Sequence, residues 1–100
     1  MALRPFGTTN PHERAFREFH RKHPEVYDAL VWLARDLVKR GHTQIGIGML
    51  YEVVRWEKFL SNTHDDFKLN NNYRAYYARL IMKQEEDLRG IFETRRVGAI

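Results

Sequence analysis

The apolar repeat that follows Pro24 constrains the fold of this chain more than any other feature. Through Pro24–Lys39, apolar residues recur every three or four positions over four turns, the spacing of one buried helix face. Pro24 is tolerated at the first position of a helix, and Gly41 can take the left-handed conformation that ends one. The sequence therefore predicts a helix from Pro24 to about Arg40 that lies against the core.

Three further helices are predicted around this one. A first helix over Pro11–Lys22 starts at Asn10, a residue that readily caps a helix, and it ends before the proline that follows. A third helix has helical apolar spacing over Met49–Leu60, whereas residues 45–48 fit either a short extended piece or a first turn. A fourth is predicted over Asn70–Gln84.

Short alternating segments predict a small β element beside the helices. Phe67–Leu69 alternates apolar and polar residues, and Ile91–Val97 has strand-like composition, so the two segments can pair. With 100 residues the chain suits one domain. We expect a mobile arm over residues 1–10 and a single globular domain over 11–100. That domain is mainly α, with four helices in a helix-turn-helix-like order and a winged-helix-like pair of strands.

Charge is distributed unevenly along the chain, whose net charge is +4. Residues 1–24 hold five cations and two acids, a net +3, and residues 61–84 hold four cations and two acids, a net +2. Residues 25–60 contain five of each, and residues 85–100 contain three cations and four acids. If the two positive segments meet in the fold, they create a field that attracts phosphate backbones. Two ordinary solvated helix faces are the alternative.

The composition also excludes several kinds of site. The chain has no cysteine, so it has no disulfide and no thiolate metal site, which fits a reducing cytoplasm. No run approaches the ~20 apolar residues of a membrane span, and residues 1–10 lack the apolar stretch of a signal peptide. We expect a cytoplasmic protein that has no membrane partner and needs no cofactor.

The Asn70–Gln84 helix carries the main clue to function, because it holds three cations, three tyrosines and no acid. On a helical wheel one stripe about 60° wide faces solvent, and a second stripe has the spacing of a packing face. Tyr73 and Tyr77 belong to the packing face, together with leucine and isoleucine. The solvent stripe consists of Asn72, Tyr76, Arg79 and Lys83, and Tyr76 is not expected to be buried there.

This stripe leads to the prediction of a double-stranded DNA-binding protein, in the role of a transcriptional regulator. In a helix-turn-helix the N-terminal residues of the recognition helix meet base edges, where asparagine suits adenine and arginine suits guanine. Cations further along the helix suit phosphates, and cations on a terminal strand suit the backbone or a minor groove. The predicted nucleic-acid contacts are Asn71, Asn72, Arg74, Tyr76, Arg79, Lys83, Arg95 and Arg96.

Other interpretations of the same residues remain open. The three asparagines can be cap and turn residues only. The basic stripe can serve a protein-binding module with an acidic partner instead of DNA. Trp32 falls off the apolar stripe of its helix, so it can anchor a homodimer or pack beside Phe16 or Phe19. Trp56 borders the core stripe of the third helix.

An enzyme is not expected, because the chain has no nucleophile motif and no glycine-rich phosphate loop. The enzymatic alternative is a small metal-dependent nuclease centred on His64, Asp65 and Asp66. His20 and His23 have a helical spacing that is compatible with joint metal binding, yet no third ligand lies near them in the sequence. No metal site is predicted.

Three segments, Phe67–Tyr73, Tyr77–Leu80 and Phe92–Arg95, together resemble a group of small uncharacterised bacterial and phage proteins. The resemblance covers Glu18 to Arg96 and implies a compact standalone domain, but it brings no activity, cofactor or catalytic residue with it. The chain is similar to winged-helix domains only in the order of its elements.

Overall fold

Helices make up most of the described chain, as the sequence predicts. The computed structural model of the protein describes residues 11–61 and 69–92. A first 3₁₀ turn precedes the last α-helix and a second one follows it. Within the described residues the elements in chain order are α1 (Pro11–Lys22), α2 (Pro24–Lys39), α3 (Ile47–Ser61), the first 3₁₀ turn (Asn71–Tyr73), α4 (Arg74–Gln84) and the second 3₁₀ turn (Glu86–Leu88).

Local signals set both ends of α2. The helix begins at Pro24, and it ends in the glycine cap that the sequence predicts. Gly41 has a φ of 101°, and its amide donates to the carbonyl of Val38 at 3.0 Å. The next amide, of His42, donates to the carbonyl of Leu37 at 3.1 Å. These two bonds form a Schellman cap, which requires a left-handed residue at the position of Gly41.

The connection from α2 to α3 settles the conformation of residues 45–48. Ile45 is extended and forms one isolated parallel bridge with Phe92. The amide of Met49 already donates to the carbonyl of Gly46 at 3.1 Å, and α3 begins at Ile47. The segment is therefore one extended residue followed by a first helical turn.

The predicted pair of strands is not found among the described residues. The amide of Ile45 donates to the carbonyl of Ile91 at 2.9 Å, so the described start of the predicted terminal strand contacts the α2–α3 connection. A turn at Gly90, which has a φ of 80°, comes directly before this contact. Residues 67, 68 and 93–97 of the predicted strands, and the predicted arm over residues 1–10, lie outside the described residues.

The predicted end of the fourth helix at Gln84 is confirmed, whereas its predicted start at Asn70 is wrong, and the chain does not continue as an α-helix toward Leu88. Asn70 caps a 3₁₀ turn rather than an α-helix, with its side-chain oxygen accepting from the amide of Asn72 at 2.8 Å. At the other end α4 stops at Gln84, and Glu85 is extended with φ −106° and ψ 103°. Leu88 is fully buried, as predicted, but it reaches the core from the second 3₁₀ turn.

Charged side chains from α2 hold the second 3₁₀ turn in place. The guanidinium of Arg35 donates to Asp87 at 2.8 Å and to Glu85 at 2.7 Å. The hydroxyl of Tyr27 donates to the other carboxylate oxygen of Glu85 at 2.8 Å. The hydrogen bond from Arg35 lowers the pKa of the Asp87 carboxyl. These bonds explain why α4 does not continue, because an uninterrupted helix would carry both acids away from Arg35.

A single apolar core lies between α2, α3 and α4, and α1 covers one side of it. From α1 only Phe16 is buried. The largest fully buried side chains are those of Leu30, Leu50, Tyr51, Tyr77, Ile81 and Leu88.

Candidate nucleic-acid interface

Contacts between aromatic rings join α1 to α4 and to the 3₁₀ turn that precedes α4. The ring of Phe16 stacks on that of Tyr76 with centroids 5.3 Å apart, and it meets Tyr77 edge-on at 4.8 Å. Phe19 lies one turn further along α1 and contacts Tyr73 at 5.1 Å. Aromatic pairs at these separations are favourable beyond the apolar area that they bury. The two positive segments of the sequence are therefore neighbours in the fold.

This arrangement separates charge within the described residues. α1 carries four cations and two acids, and the first 3₁₀ turn with α4 carries three cations and no acid, so together they hold a net +5 with histidine neutral. The remaining described residues carry six cations and eight acids, a net −2. The contacts of Phe16 with Tyr76 and of Phe19 with Tyr73 bring the two cationic sets into one region of the fold, where like charges add to a common positive field. The two cationic sets therefore reinforce each other.

Acids within α1 neutralise some of its cations. Glu13 pairs with Arg17 at 2.8 Å, and Glu18 pairs with Arg21 at 2.6 Å. The hydrogen bond from Arg21 lowers the pKa of the Glu18 carboxyl. Arg14 is exposed and forms no ion pair with any described residue. Sequence reasoning missed Arg14 as an individual contact, since the charge of its segment was the only signal.

α4 presents two exposed cations one turn apart. Arg79 and Lys83 form no salt bridge with a described carboxylate. The guanidinium carbon of Arg79 lies over the ring of Tyr76, 5.2 Å from its centroid. Asn72 is exposed in the 3₁₀ turn that precedes α4, so three of the four residues predicted for the solvent stripe are exposed.

The prediction that Tyr76, the fourth residue of that stripe, is not buried is wrong. Tyr76 is half-buried and packs against the core, because the ring of Phe16 from α1 stacks on it. Tyr77 is fully buried, as predicted, and Tyr73 is half-buried. A helical wheel places a residue on a flank but does not show which neighbour covers that flank.

The N-terminal end of the basic helix is tied to α3 by Arg55. Its guanidinium donates to the carbonyl of Leu69 at 2.8 Å and to the side-chain oxygen of Asn71 at 2.6 Å, and it also pairs with Glu52. Arg74 is half-buried, and its Nε donates to the carbonyl of Asn71 at 3.3 Å. Two of the predicted base-reading residues therefore have partners inside the protein. No sequence signal links Arg55 to Asn71, since the two residues lie 16 positions apart.

Both tryptophans lie on the surface. Trp32 is 66% exposed on α2, so it is not packed beside Phe16 or Phe19. Those two rings contact Tyr76 of α4 and Tyr73 of the first 3₁₀ turn. Trp56 is 62% exposed, and the prediction that it borders the core is wrong. It shares one face of α3 with Met49, seven residues earlier and 54% exposed.

Candidate metal ligands do not converge in the described part of the chain. No group of three histidine, aspartate or glutamate side chains among the described residues is placed to hold a metal ion. His20 stacks on Phe16 at 6.0 Å, and His23 lies 3.2 Å from the carboxylate of Glu25. His64, Asp65 and Asp66, and likewise Arg95 and Arg96, lie outside the described residues.

None of the helices in the described ranges has both the length and the apolar character that a membrane crossing needs. Comparison with known proteins gives no match to a family model, a curated protein or a solved structure. The resemblance to small bacterial and phage proteins therefore stays a prediction.

Proposed function

We propose that this chain binds double-stranded DNA, with the paired helices α1 and α4 lying against the phosphate backbone. One observation carries the proposal: ring contacts of Phe16 join the cationic helices α1 and α4, while the described residues outside these helices and the 3₁₀ turn before α4 have a net negative charge. A surface polarised in this way attracts a polyanion and orients it. The helix-turn-helix interpretation, with α4 as the helix that meets DNA, belongs to this proposal.

The geometry favours phosphate contacts over base reading. Asn71 and Arg74 have hydrogen-bond partners within the protein, so one of the two predicted asparagines and the arginine suited to guanine are not free at this end of the helix. Arg14, Arg79 and Lys83 keep their charges available to solvent. Contacts of this kind position a duplex but carry little sequence information. We therefore propose binding with weak sequence preference, to which Asn72 contributes a single exposed amide.

The test is a fluorescence-anisotropy titration of a short labelled duplex, repeated between about 50 and 200 mM salt. Replacing both Arg79 and Lys83 by alanine should lower the slope of log affinity against log salt by about 2, since each lost phosphate contact removes about one unit. At low salt the affinity should fall about tenfold.

The matched control replaces two exposed cations outside α1 and α4, Lys39 and Arg89, by alanine. It removes the same charge from the chain but should leave the slope within about half a unit of the starting value. An equal effect of the two double variants would show that net charge, and not the paired helices, determines binding.

Absence of duplex binding by the unaltered chain at low salt would refute the proposal. Binding to polyglutamate as tightly as to DNA would instead favour the acidic-protein partner. A strong preference between duplexes of different sequence would show that base reading occurs after all.

A further inference from the structure

We infer that Tyr76 is a positioning residue that holds Arg79 ready to bind a phosphate. The inference rests on the proposed function, and it assigns Tyr76 a role different from that of a DNA contact. It starts from the position of the Tyr76 ring, which lies between a buried ring of α1 and an exposed cation of its own helix.

The ring of Tyr76 is fixed from the core side. Phe16 stacks on it at 5.3 Å with the two planes only 18° apart. Phe16 is itself 5% exposed and is held by an edge contact with Tyr77 at 4.8 Å and by stacking with His20 at 6.0 Å. Tyr76 therefore has little freedom to turn toward solvent, and it is not available as a stacking platform for an unpaired base.

The guanidinium of Arg79 lies over this fixed ring, 5.2 Å from its centroid. A guanidinium above an aromatic face keeps its N–H groups at its own edge, where they can form two parallel bonds to a phosphate. An arginine held in this way loses less side-chain freedom on binding than one that moves freely in solvent. Arg79 should therefore contribute more to affinity than its charge alone provides.

Lys83 supplies the comparison within the same helix. It has the same charge, lies one turn later and is exposed, but no ring contact is present for it among the described residues. An ammonium binds phosphate as a point charge and has no planar fork to orient. Replacing Lys83 by arginine should therefore change duplex affinity little, whereas replacing Arg79 by lysine should lower it.

The experiment is a double-mutant cycle on duplex affinity. Tyr76→Leu keeps an apolar side chain against Phe16 but removes the aromatic face, and Arg79→Lys keeps the charge but removes the fork. Each should lower affinity about fivefold, and the double variant should be no weaker than either alone, since both remove the same contact. Because the charge is retained, the salt slope should not change in any of the three.

Two controls separate positioning from a general structural effect. Tyr76→Phe keeps the ring face and should restore the full affinity. Tyr76→Leu combined with Lys83→Ala should show multiplied losses and a salt slope lower by about 1. Should Tyr76→Leu prevent folding, Arg79→Lys and Lys83→Arg still give the answer, because only the first should lower affinity.

Multiplied losses for the Tyr76 and Arg79 pair, or equal effects of Arg79→Lys and Lys83→Arg, would overturn the inference while leaving DNA binding intact. Absence of duplex binding by the unaltered chain would refute the proposed function, and the inference with it.

Discussion

Two tyrosines in the core offer a sharp test of the packing described above. Tyr51 and Tyr77 are both fully buried, and their ring centroids lie 6.1 Å apart. The hydroxyl of Tyr51 donates to the carbonyl of Asn70 at 2.7 Å. The hydroxyl of Tyr77 is buried and has no hydrogen-bond partner among the described residues. The substitutions Tyr51→Phe and Tyr77→Phe each remove one buried hydroxyl. The hydroxyl of Tyr51 has a hydrogen-bond partner, whereas that of Tyr77 has none among the described residues.

The structure sets the expected magnitudes. The carbonyl of Asn70 also accepts from the amide of Tyr73 at 3.0 Å, so it keeps a partner when the Tyr51 hydroxyl is removed. Tyr51→Phe should therefore lower the free energy of unfolding by about 1 kcal/mol, the net value of one hydrogen bond. A buried hydroxyl without a partner costs about 1–3 kcal/mol. Tyr77→Phe removes that cost and should be neutral or stabilising by about 1 kcal/mol.

Urea and thermal unfolding, followed by circular dichroism, measure both variants against the unaltered chain. For a chain of this size 1 kcal/mol corresponds to about 4–8 °C in Tm. Tyr77→Phe should be the more stable variant by about 1–2 kcal/mol. Equal losses, or a Tyr77→Phe variant that is less stable than Tyr51→Phe, would show that the two hydroxyls do not differ in the way described.

Two further predictions concern backbone strain and pH. Gly41→Ala places a side chain at a φ of 101° with no other atom within 4 Å of it, so only the backbone conformation should be strained. It should lower the free energy of unfolding, measured by urea titration, by about 1 kcal/mol. Gly46 is also in open space but has no positive φ, so Gly46→Ala should leave the free energy of unfolding unchanged. Burial raises the pKa of the Tyr27, Tyr51 and Tyr77 phenols above the ordinary value near 10. Their contribution to stability is thus complete below pH 10 and is lost as pH rises above it, since the unfolded chain ionises first. Ultraviolet titration should show that these phenols ionise as the chain unfolds, between about pH 10 and 12. Ionisation of all five tyrosines near pH 10 in a chain that is still folded would contradict this prediction.

Local sequence signals were enough to place α1 and α2. Both helices begin at a proline, and α2 ends at a glycine cap, so their bounds depend on residues within one turn of each end. α4 ends at the predicted residue, Gln84, but the contacts of the chain that follows it could not be predicted in this way. They involve Arg35, which lies 50 residues before Glu85.

The candidate site was predictable in its charge but not in its contacts. The absence of acids through Asn70–Gln84 and the two exposed cations of α4 follow from sequence. Whether Asn71 faces a ligand depends on Arg55, and whether Tyr76 is exposed depends on Phe16. Both are tertiary contacts, on which helical periodicity has no bearing.

The contact between α1 and α4 has a consequence for how ionic strength acts on this protein. Uncharged rings join α1 to α4 and to the 3₁₀ turn before it, and Glu13 and Glu18 neutralise only part of the charge of α1. A net +2 on α1 therefore repels a net +3 on the turn and α4. Added salt screens the repulsion and also weakens attraction for any polyanion. Salt therefore stabilises the docking of α1 in the free chain while it reduces affinity for a polyanionic ligand. A polyanion bound at this face would also screen the repulsion between the two sets of cations, and it would therefore stabilise the contact between α1 and α4.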